Sequence, residues 1–421
     1  MNAPRPSMKP LDDALAELLG FAVALSGVES VSTFEADGRV LAQDLVSALH
    51  VPPQDNSAMD GYAVRCVDVS QALNVQPAHG VLQVSQRIAA GSSGAPLAPM
   101  NVARIFTGAP VPIGADAVVM QEDCEVLKAD HVPEGGAVRF KTVPAPGQWI
   151  RRAGEDVTRG SVVLSKGERL TPASLGLAAS IGMSLLPVVR RPRVALFSTG
   201  DELVMPGDVA PGQIKPGAIY NSNRFFLRAL LLRLGCEVSD LGIVPDRLDA
   251  TVDALQKAAQ SHDLILTSGG VSVGEEDHIK PAVQSLGALE LWQIAIKPGK
   301  PFAYGRVQNA HFIGLPGNPV SSFVTFLLLV RPFLLKLQGA TQLAAKSIAT
   351  PAHFTWARAD KRREFLRVQR NAAGGLDLYA NQSSGVLTSA VWADGLVDNP
   401  PGQIIAHGDV VRFIPFAEVL G

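Results

Sequence analysis

The chain has 421 residues, of which 47% are hydrophobic and 18% are charged, and its formal net charge is -2. At roughly 100–200 residues per domain, this length predicts two to four domains with sizeable cores, and the composition argues against a disordered chain. The near-neutral charge argues against a general nucleic-acid-binding protein, which needs a basic field to hold phosphates.

Cysteine usage and hydropathy narrow the class of protein further. The chain has three cysteines and no CxxC pair: Cys66, Cys124 and Cys236. We therefore expect reduced thiols in a cytoplasmic protein, without a zinc knuckle or a disulfide framework. The first ten residues lack the apolar run of a secretory signal. The most apolar stretch, 323–337, is interrupted by Arg331 and Pro332, so we expect a buried kinked helix or helix pair and no membrane partner.

The first 190 residues indicate one domain with another inserted in it. Leu and Ala follow helical spacing over 11–25, a strand-like stretch lies near 39–49, and Thr171-Pro172 marks a helix start. Residues 51–149 contain many Gly and Pro between short apolar runs, which is typical of a β-rich domain. We predict a discontinuous N-terminal domain over 1–50 and 150–190, with the β-rich domain of 51–149 inserted in it.

Strands alternate with helices after residue 190, which predicts a central α/β domain over 191–340 with a mostly parallel sheet. The predicted strands lie at 194–198, 237–244, 263–267, around 292–304 and at 311–315. The predicted helices lie at 223–234 and 249–260, after Asp277 and from Pro319 onward. Short strands with Gly turns over 345–421 predict a C-terminal β-barrel domain. The fold class is therefore multi-domain, α/β plus β.

Four polar loops follow predicted strands of the α/β domain, where ligands bind in open sheets of this kind. They span 198–202, 245–247, 268–277 and 316–322. The third loop is rich in Gly and Ser, so its backbone amides can approach an anion closely. An ordinary glycine-rich turn, with acids at the start of a helix, explains the same residues equally well.

Charged residues beside these loops favour an anion site that includes a cation. Lys297 and Lys300 flank a rigid Pro-Gly turn, where they would offer point charges to an oxyanion, although solvated surface lysines are the default interpretation. Glu202, Asp246 and Asp277 would repel a phosphate unless Mg²⁺ lay between them, since Mg²⁺ prefers one or two carboxylates plus phosphate oxygens. For any single one of these acids, a helix cap or a surface position is the simpler interpretation.

A GxSxG motif at 270–274 raises the alternative of a serine hydrolase acting through Ser272. A nucleophile elbow requires the serine at a sharp turn directly after a strand. Here the predicted strand ends at Thr267 and Ser-Gly-Gly intervenes before the turn with Ser272, so we disfavour this chemistry.

Taken together, the ordered motifs resemble the MoeA-type molybdopterin molybdenumtransferases, a family that includes the E domain of gephyrin. The resemblance runs from about residue 10 to the C-terminus. The matching stretches are DNSAMDGYAVR (55–65), IFTGAPVP (105–112), GADAVV (114–119), RRAGED (151–156), STGDEL (198–203), SGGVSVG (268–274), KPGKP (297–301), PGNPVSS (316–322), REFLR (363–367) and SSG (383–385).

The resemblance implies that molybdate is inserted into adenylylated molybdopterin with release of AMP and assistance by Mg²⁺. The implied catalytic positions are Asp60, Thr107, Asp156, Glu202, Asp246 and Asp277, of which Asp246 and Asp277 are the Mg²⁺ candidates. The implied substrate-binding positions are Arg151, Ser272, Lys297, Lys300, Pro316, Pro319, Arg363 and Ser384. Arg363 and Ser384 would complete the molybdate pocket.

The resemblance also implies an elongated homodimer of four-domain subunits with a shared active site, and the molybdopterin adenylyltransferase as a partner. Two positions depart from the family pattern: Gln293 stands where a lysine is frequent, and Arg247 where a second acid is frequent. Two alternatives stay open, a non-catalytic scaffold of the gephyrin type and a pterin adenylyltransferase. The preference for molybdenum over tungsten is open as well.

Overall fold

A computed structural model describes residues 8–75, 80–127, 136–270 and 278–420. The chain forms two compact units. Unit 1 comprises Met1–Gln43, Lys166–Pro172 and Leu185–Gly421, and unit 2 comprises Asp44–Ser165 and Ala173–Ser184. Both units contain helices and several sheets, so the chain is mixed α/β. The four-domain division is finer than these two units and stays a prediction.

Every predicted helix has a counterpart in the described ranges, whereas three helices, at Cys66–Val75, Thr388–Trp392 and Ala417–Leu420, are not predicted from the sequence. The helices are α1 (Leu11–Phe21), α2 (Cys66–Val75), α3 (Pro172–Ser180), α4 (Asn223–Arg233), α5 (Leu248–Ala259), α6 (Ile279–Leu286), α7 (Pro319–Thr325), α8 (Arg331–Leu337), α9 (Thr388–Trp392) and α10 (Ala417–Leu420). A π-helical segment, Phe326–Val330, joins α7 to α8 in one continuous run.

The strands of the first half are β1 (Val28–Ser32), β2 (Leu45–Val46), β3 (Asn56–Ser57), β4 (Gly61–Val64), β5 (Val81–Ile88), β6 (Asn101–Ile105), β7 (Ala117–Met120), β8 (Cys124–Leu127), β9 (Ala137–Phe140), β10 (Ile150–Arg151), β11 (Val162–Leu164) and β12 (Leu185–Val189). Those of the second half are β13 (Arg193–Thr199), β14 (Leu203–Val204), β15 (Ile219–Tyr220), β16 (Glu237–Val244), β17 (Leu264–Ser268), β18 (Gly287–Gln293), β19 (Ile296–Lys297), β20 (Pro301–Val307), β21 (Ala310–Leu315), β22 (Ile348–Pro351), β23 (Arg363–Arg370), β24 (Leu376–Leu378), β25 (Gly395–Asn399) and β26 (Val410–Pro415).

The main sheet of unit 1 has the strand order β16-β13-β17-β21-β20-β18. The first four strands are parallel, whereas β20 and β18 run antiparallel to their neighbours. Alternate residues of β13 enter different cores: Val194 and Leu196 join one, and Ala195 and Phe197 join the other. The sheet is therefore covered on both faces, as parallel sheets require.

The run from α7 to α8 lies within the larger of these cores. Pro319 occupies the first helical position, where the missing amide leaves no hydrogen bond unmade. Among the described residues, Pro319–Leu337 is the one helix long and apolar enough to cross a membrane, but 83% of its most apolar window is buried inside the protein. Such burial matches the expected core helix.

A second sheet of unit 1 collects the C-terminal strands in the order β19-β23-β25-β26-β22, with β24 beside β23. The short strand β19 brings a segment of the α/β region into this sheet, with Ile296 opposite Arg363 and Lys297 opposite Glu364. Within the described ranges, the end strands β19 and β22 do not pair with each other, so closure into a barrel stays a prediction.

Unit 2 is built on a six-stranded sheet in the order β7-β4-β6-β5-β9-β8. Gly61 begins β4, the second strand in this order, and a Cβ atom there would lie 1.9 Å from the Val119 carbonyl oxygen of the edge strand β7. Only glycine allows the two strands to approach this closely. The pairs β3–β10 and β2–β11 complete this unit.

Candidate functional site

The carboxyl ends of β13, β17 and β21 open into a cleft of about 580 Å³ in unit 1. Thr199 and Ser268 are the last residues of β13 and β17, and Pro316 follows β21; all three line the cleft. Because carboxyl ends of parallel strands share one edge of a sheet, the predicted loops meet here.

The loops around the cleft pack closely through glycine. The Gly269 amide donates to the Leu315 carbonyl over 3.0 Å, and the Asn223 side-chain amide donates to the Gly317 carbonyl over 2.7 Å. Gly269 has a φ of 92°, and a Cβ atom there would lie 3.0 Å from the Thr199 carbonyl oxygen. Glycine is needed both for this conformation and for this spacing.

The charge of the cleft wall is negative. Glu202 and Asp246 line the cleft, whereas no lysine, arginine or histidine does so within the part of the chain that the structure describes. Carboxylates alone would repel a phosphate. An anionic ligand at this wall would therefore depend on backbone donors and on a cation that offsets the carboxylate charge.

The predicted residues Pro316 and Pro319 also line this cleft. The next residue, Val320, donates its amide to the Ser384 carbonyl over 2.9 Å. The backbone of Ser384 thus lies against the start of α7, next to the cleft wall.

Lys297 is held by carboxylates rather than lining the cleft. Its Nζ donates to Glu364 Oε1 over 2.9 Å and lies 3.4 Å from Asp360 Oδ2. Glu364 is only 1% exposed and also accepts from Trp356 Nε1 over 2.8 Å. Lys297 therefore joins the α/β region to the C-terminal sheet.

Lys300 and Arg363 have different surroundings. Lys300 is exposed and directly precedes Pro301, which lines the cleft. Arg363 donates to both oxygens of the buried Asp398, over 2.5 and 2.6 Å, and to Asp12 over 2.9 Å. The bidentate contact with Asp398 raises the pKa of Arg363, so the guanidinium stays charged and holds the Asp398 carboxylate in place.

In unit 2, Asp60 and Thr107 are in direct contact. Asp60 Oδ1 accepts from the Thr107 amide and from the Thr107 hydroxyl, each over 2.8 Å. The pairing of Gly61 in β4 with Ile105 in β6 brings the two residues together from positions 47 apart in sequence. The amide bond, followed by the hydroxyl bond, lowers the pKa of Asp60.

Arg151 and Asp156 lie on the surface of unit 2. Arg151 ends β10, where it pairs with Asn56 of β3, and the Asp156 amide donates to the Val51 carbonyl over 3.0 Å. Both residues are exposed. Their neighbour Arg152, which the sequence does not single out, forms a 2.5 Å ion pair with Asp55.

Two predicted residues, Ser272 and Asp277, lie outside the described residues, as does most of the GxSxG motif. Conversely, sequence reasoning misses a continuous run that lines the cleft, from Ile219 to Asn223. The available signal was an Asn-Ser-Asn run before a predicted helix, which is also the composition of an ordinary helix cap.

Comparison with known proteins relates this geometry to one family. Residues 9–182 match the model of the MoeA N-terminal region (domains I and II), 195–336 match a probable molybdopterin-binding domain, and 349–416 match the MoeA C-terminal region (domain IV). A molybdopterin molybdenumtransferase of Haemophilus influenzae is 40% identical over 98% of this chain and 100% of its own. Molybdopterin molybdenumtransferase 2 of Mycobacterium tuberculosis is 38% identical over 88% and 90%. The crystal structure of a molybdopterin biosynthesis MoeA protein of Pyrococcus horikoshii OT3 has a TM-score of 0.83 at 29% identity and covers 97% of this chain and 100% of its own.

Proposed function

Since this chain belongs to the MoeA family of molybdopterin molybdenumtransferases, enzymes of molybdenum cofactor biosynthesis, we propose that its cleft binds adenylylated molybdopterin. Molybdate is the second substrate, and AMP leaves as molybdenum enters the dithiolene. One observation carries this proposal: Glu202 and Asp246 face a cleft of closely packed loops at the carboxyl ends of parallel strands.

The donor set of the cleft suits Mg²⁺. Glu202 and Asp246 provide hard carboxylate oxygens, and Mg²⁺ in proteins takes one or two of these together with phosphate oxygens. When bound, the ion would neutralise phosphate charge that the two carboxylates otherwise repel. Asp277, the other predicted ligand, lies outside the described residues.

For the oxyanion, we place the protein contacts at Lys300 and Ser384, which lie beside the cleft wall. Lys297 and Arg363 do not line the cleft; we propose that they add positive charge to the oxyanion site, with their positions fixed by the buried carboxylates of Glu364 and Asp398. The carboxylates of Glu364 and Asp398 offset much of the positive charge of Lys297 and Arg363. We therefore expect the positions of the oxyanion contacts to matter for molybdate selection as much as their net charge.

The remaining parts of the proposal rest on the resemblance. The enzyme is a cytoplasmic homodimer in which Asp60, Thr107, Arg151 and Asp156 of one subunit complete the cleft of the other. Its C-terminal sheet curls into a barrel within a four-domain subunit, and the molybdopterin adenylyltransferase supplies its substrate. A scaffold or an adenylyltransferase is disfavoured, because relatives that match this chain over most of its length are named molybdenumtransferases.

The test is Mg²⁺-dependent binding of AMP, followed by calorimetry. Asp246→Asn should raise the Mg²⁺ concentration needed for half-maximal binding at least about tenfold, because it removes a carboxylate from the cleft. Asp249→Asn is a matched control, because Asp249 is exposed and pairs with Arg247. Equal Mg²⁺ dependence in wild type and Asp246→Asn would contradict the proposed cation site.

A further inference from the structure

A second cavity, of about 420 Å³, adjoins the cleft. The two share Tyr220, Asn221 and Ser222 as lining residues. Beyond these, the walls are apolar. They are formed by Pro206, Phe225, Phe226, Phe323, Leu387, Ala390 and Val391, which we call the Phe225 groove. The cleft and the apolar cavity thus meet at these three residues.

The floor of the Phe225 groove is fixed and its rim is open. Phe226 and Phe323 meet edge to face with ring centroids 5.8 Å apart, and Phe323 is 9% exposed. At the rim, Phe225 is 53% exposed and Val391 is 83% exposed. Aromatic surfaces held in this way suit a flat ring, which can stack or meet them edge to face without rearrangement.

The boundary between cleft and groove is polar. The Tyr220 hydroxyl donates to the Val209 carbonyl over 2.6 Å, which holds its ring at the junction. Asn221 is 2% exposed, and its buried Nδ2 donor has no hydrogen-bond partner among the described residues. Its Oδ1 accepts from the Arg224 amide over 3.2 Å, so the unpaired Nδ2 at this boundary is the atom left to donate to a ring nitrogen or oxygen.

We propose that the Phe225 groove binds a planar, uncharged heteroaromatic ring of the substrate while the cleft holds its phosphates. The inference rests on the proposed function, because an adenylylated pterin carries its phosphates between two planar ring systems, adenine and pterin. Adenine and pterin share the required chemistry, a flat apolar face with hydrogen-bonding groups at the edge. The continuous lining favours such a bipartite ligand over a partner that would fill the groove alone.

The experiment compares Phe225→Ser and Val391→Ser with wild type by calorimetry, using AMP, ribose 5-phosphate and molybdopterin as probes. Loss of the apolar contact in either variant should weaken the binding of AMP or of molybdopterin about three- to tenfold. Ribose 5-phosphate, which lacks a ring system, should bind all variants equally. Leu232→Ser is the matched control, because Leu232 lies on α4 with Phe225, is 44% exposed and lies outside the groove.

A loss confined to AMP would assign the groove to adenine, and a loss confined to molybdopterin would assign it to the pterin; either supports the proposal. Unchanged affinity for both would overturn the subsite while leaving the proposed function intact. Failure of wild type to bind either probe would contradict both. Sedimentation provides the last outcome: if Phe225→Ser halves the particle mass, the groove is a subunit contact and the ring subsite is wrong.

Discussion

The Asp60 carboxylate and Thr107 are joined by two hydrogen bonds of 2.8 Å, one from the amide and one from the hydroxyl of Thr107. Thr107→Val should remove the hydroxyl bond and keep the amide bond, which is the larger cause of the low pKa of Asp60. The pKa of Asp60 should therefore rise but stay below its usual value. Carboxyl-carbon NMR during a pH titration measures this change. Thr107→Ser should leave the pKa near that of wild type, and an unchanged pKa in Thr107→Val would show that the hydroxyl bond contributes nothing.

Lys297→Met should lower the free energy of unfolding by about 1–3 kcal/mol, because it leaves the buried Glu364 without its cation. Adding Glu364→Gln should restore part of this loss, since the uncompensated buried charge is then gone. Urea denaturation measures both effects. Lys300→Met is the control for loss of a lysine in the same turn, and equal destabilisation by the two lysine variants would contradict the account.

His311 gives the stability a dependence on pH. Burial, reinforced by Arg306, lowers the pKa of His311 from 6.5 to about 4. Between these values the unfolded chain binds a proton that the folded chain does not. This contribution to stability is therefore complete above about pH 6.5 and is lost as the pH falls to about 4, by roughly 3 kcal/mol. Urea midpoints between pH 4 and 7 test this, and His311→Gln should show a shallower slope. An ordinary pKa for His311 by NMR would refute the explanation.

The proposed shared active site predicts complementation between inactive variants. Asp60→Ala and Asp246→Ala chains, unfolded together in equal amounts and refolded, should give about half heterodimers by random pairing. In each heterodimer one site carries both substitutions and the other carries neither, so about a quarter of wild-type activity should return. If heterodimers form and activity stays at zero, the site is built within one chain.

The sequence predicts the cleft well, because its determinants are local. Strand β16 has the predicted bounds, and the loops with Glu202, Asp246 and Pro316 follow parallel strands directly, so their convergence is a consequence of topology. The contact between Asp60 and Thr107 could be expected only from the family resemblance, because it depends on the register of β4 and β6.

The partners of Lys297 and Arg363 are beyond prediction from sequence. Lys297 meets Glu364 67 positions away, and Arg363 meets Asp398 35 positions away, through a parallel and an antiparallel strand pair. A pattern of charges along the chain contains no information on which carboxylate is buried opposite which cation. The place of Tyr220 in the cleft cannot be predicted from sequence either, because it depends on the pairing of the short strands β14 and β15.

Metal insertion by the cleft is tested by a single-turnover reaction of the purified chain with adenylylated molybdopterin, molybdate and Mg²⁺, in which AMP and pterin-bound molybdenum are quantified together. We expect one AMP to be released per molybdenum inserted. Asp246→Asn should slow both at fixed Mg²⁺, whereas Asp249→Asn should slow neither. Molybdenum insertion without AMP release, or full activity of Asp246→Asn in the presence of a chelator, would contradict the proposed function.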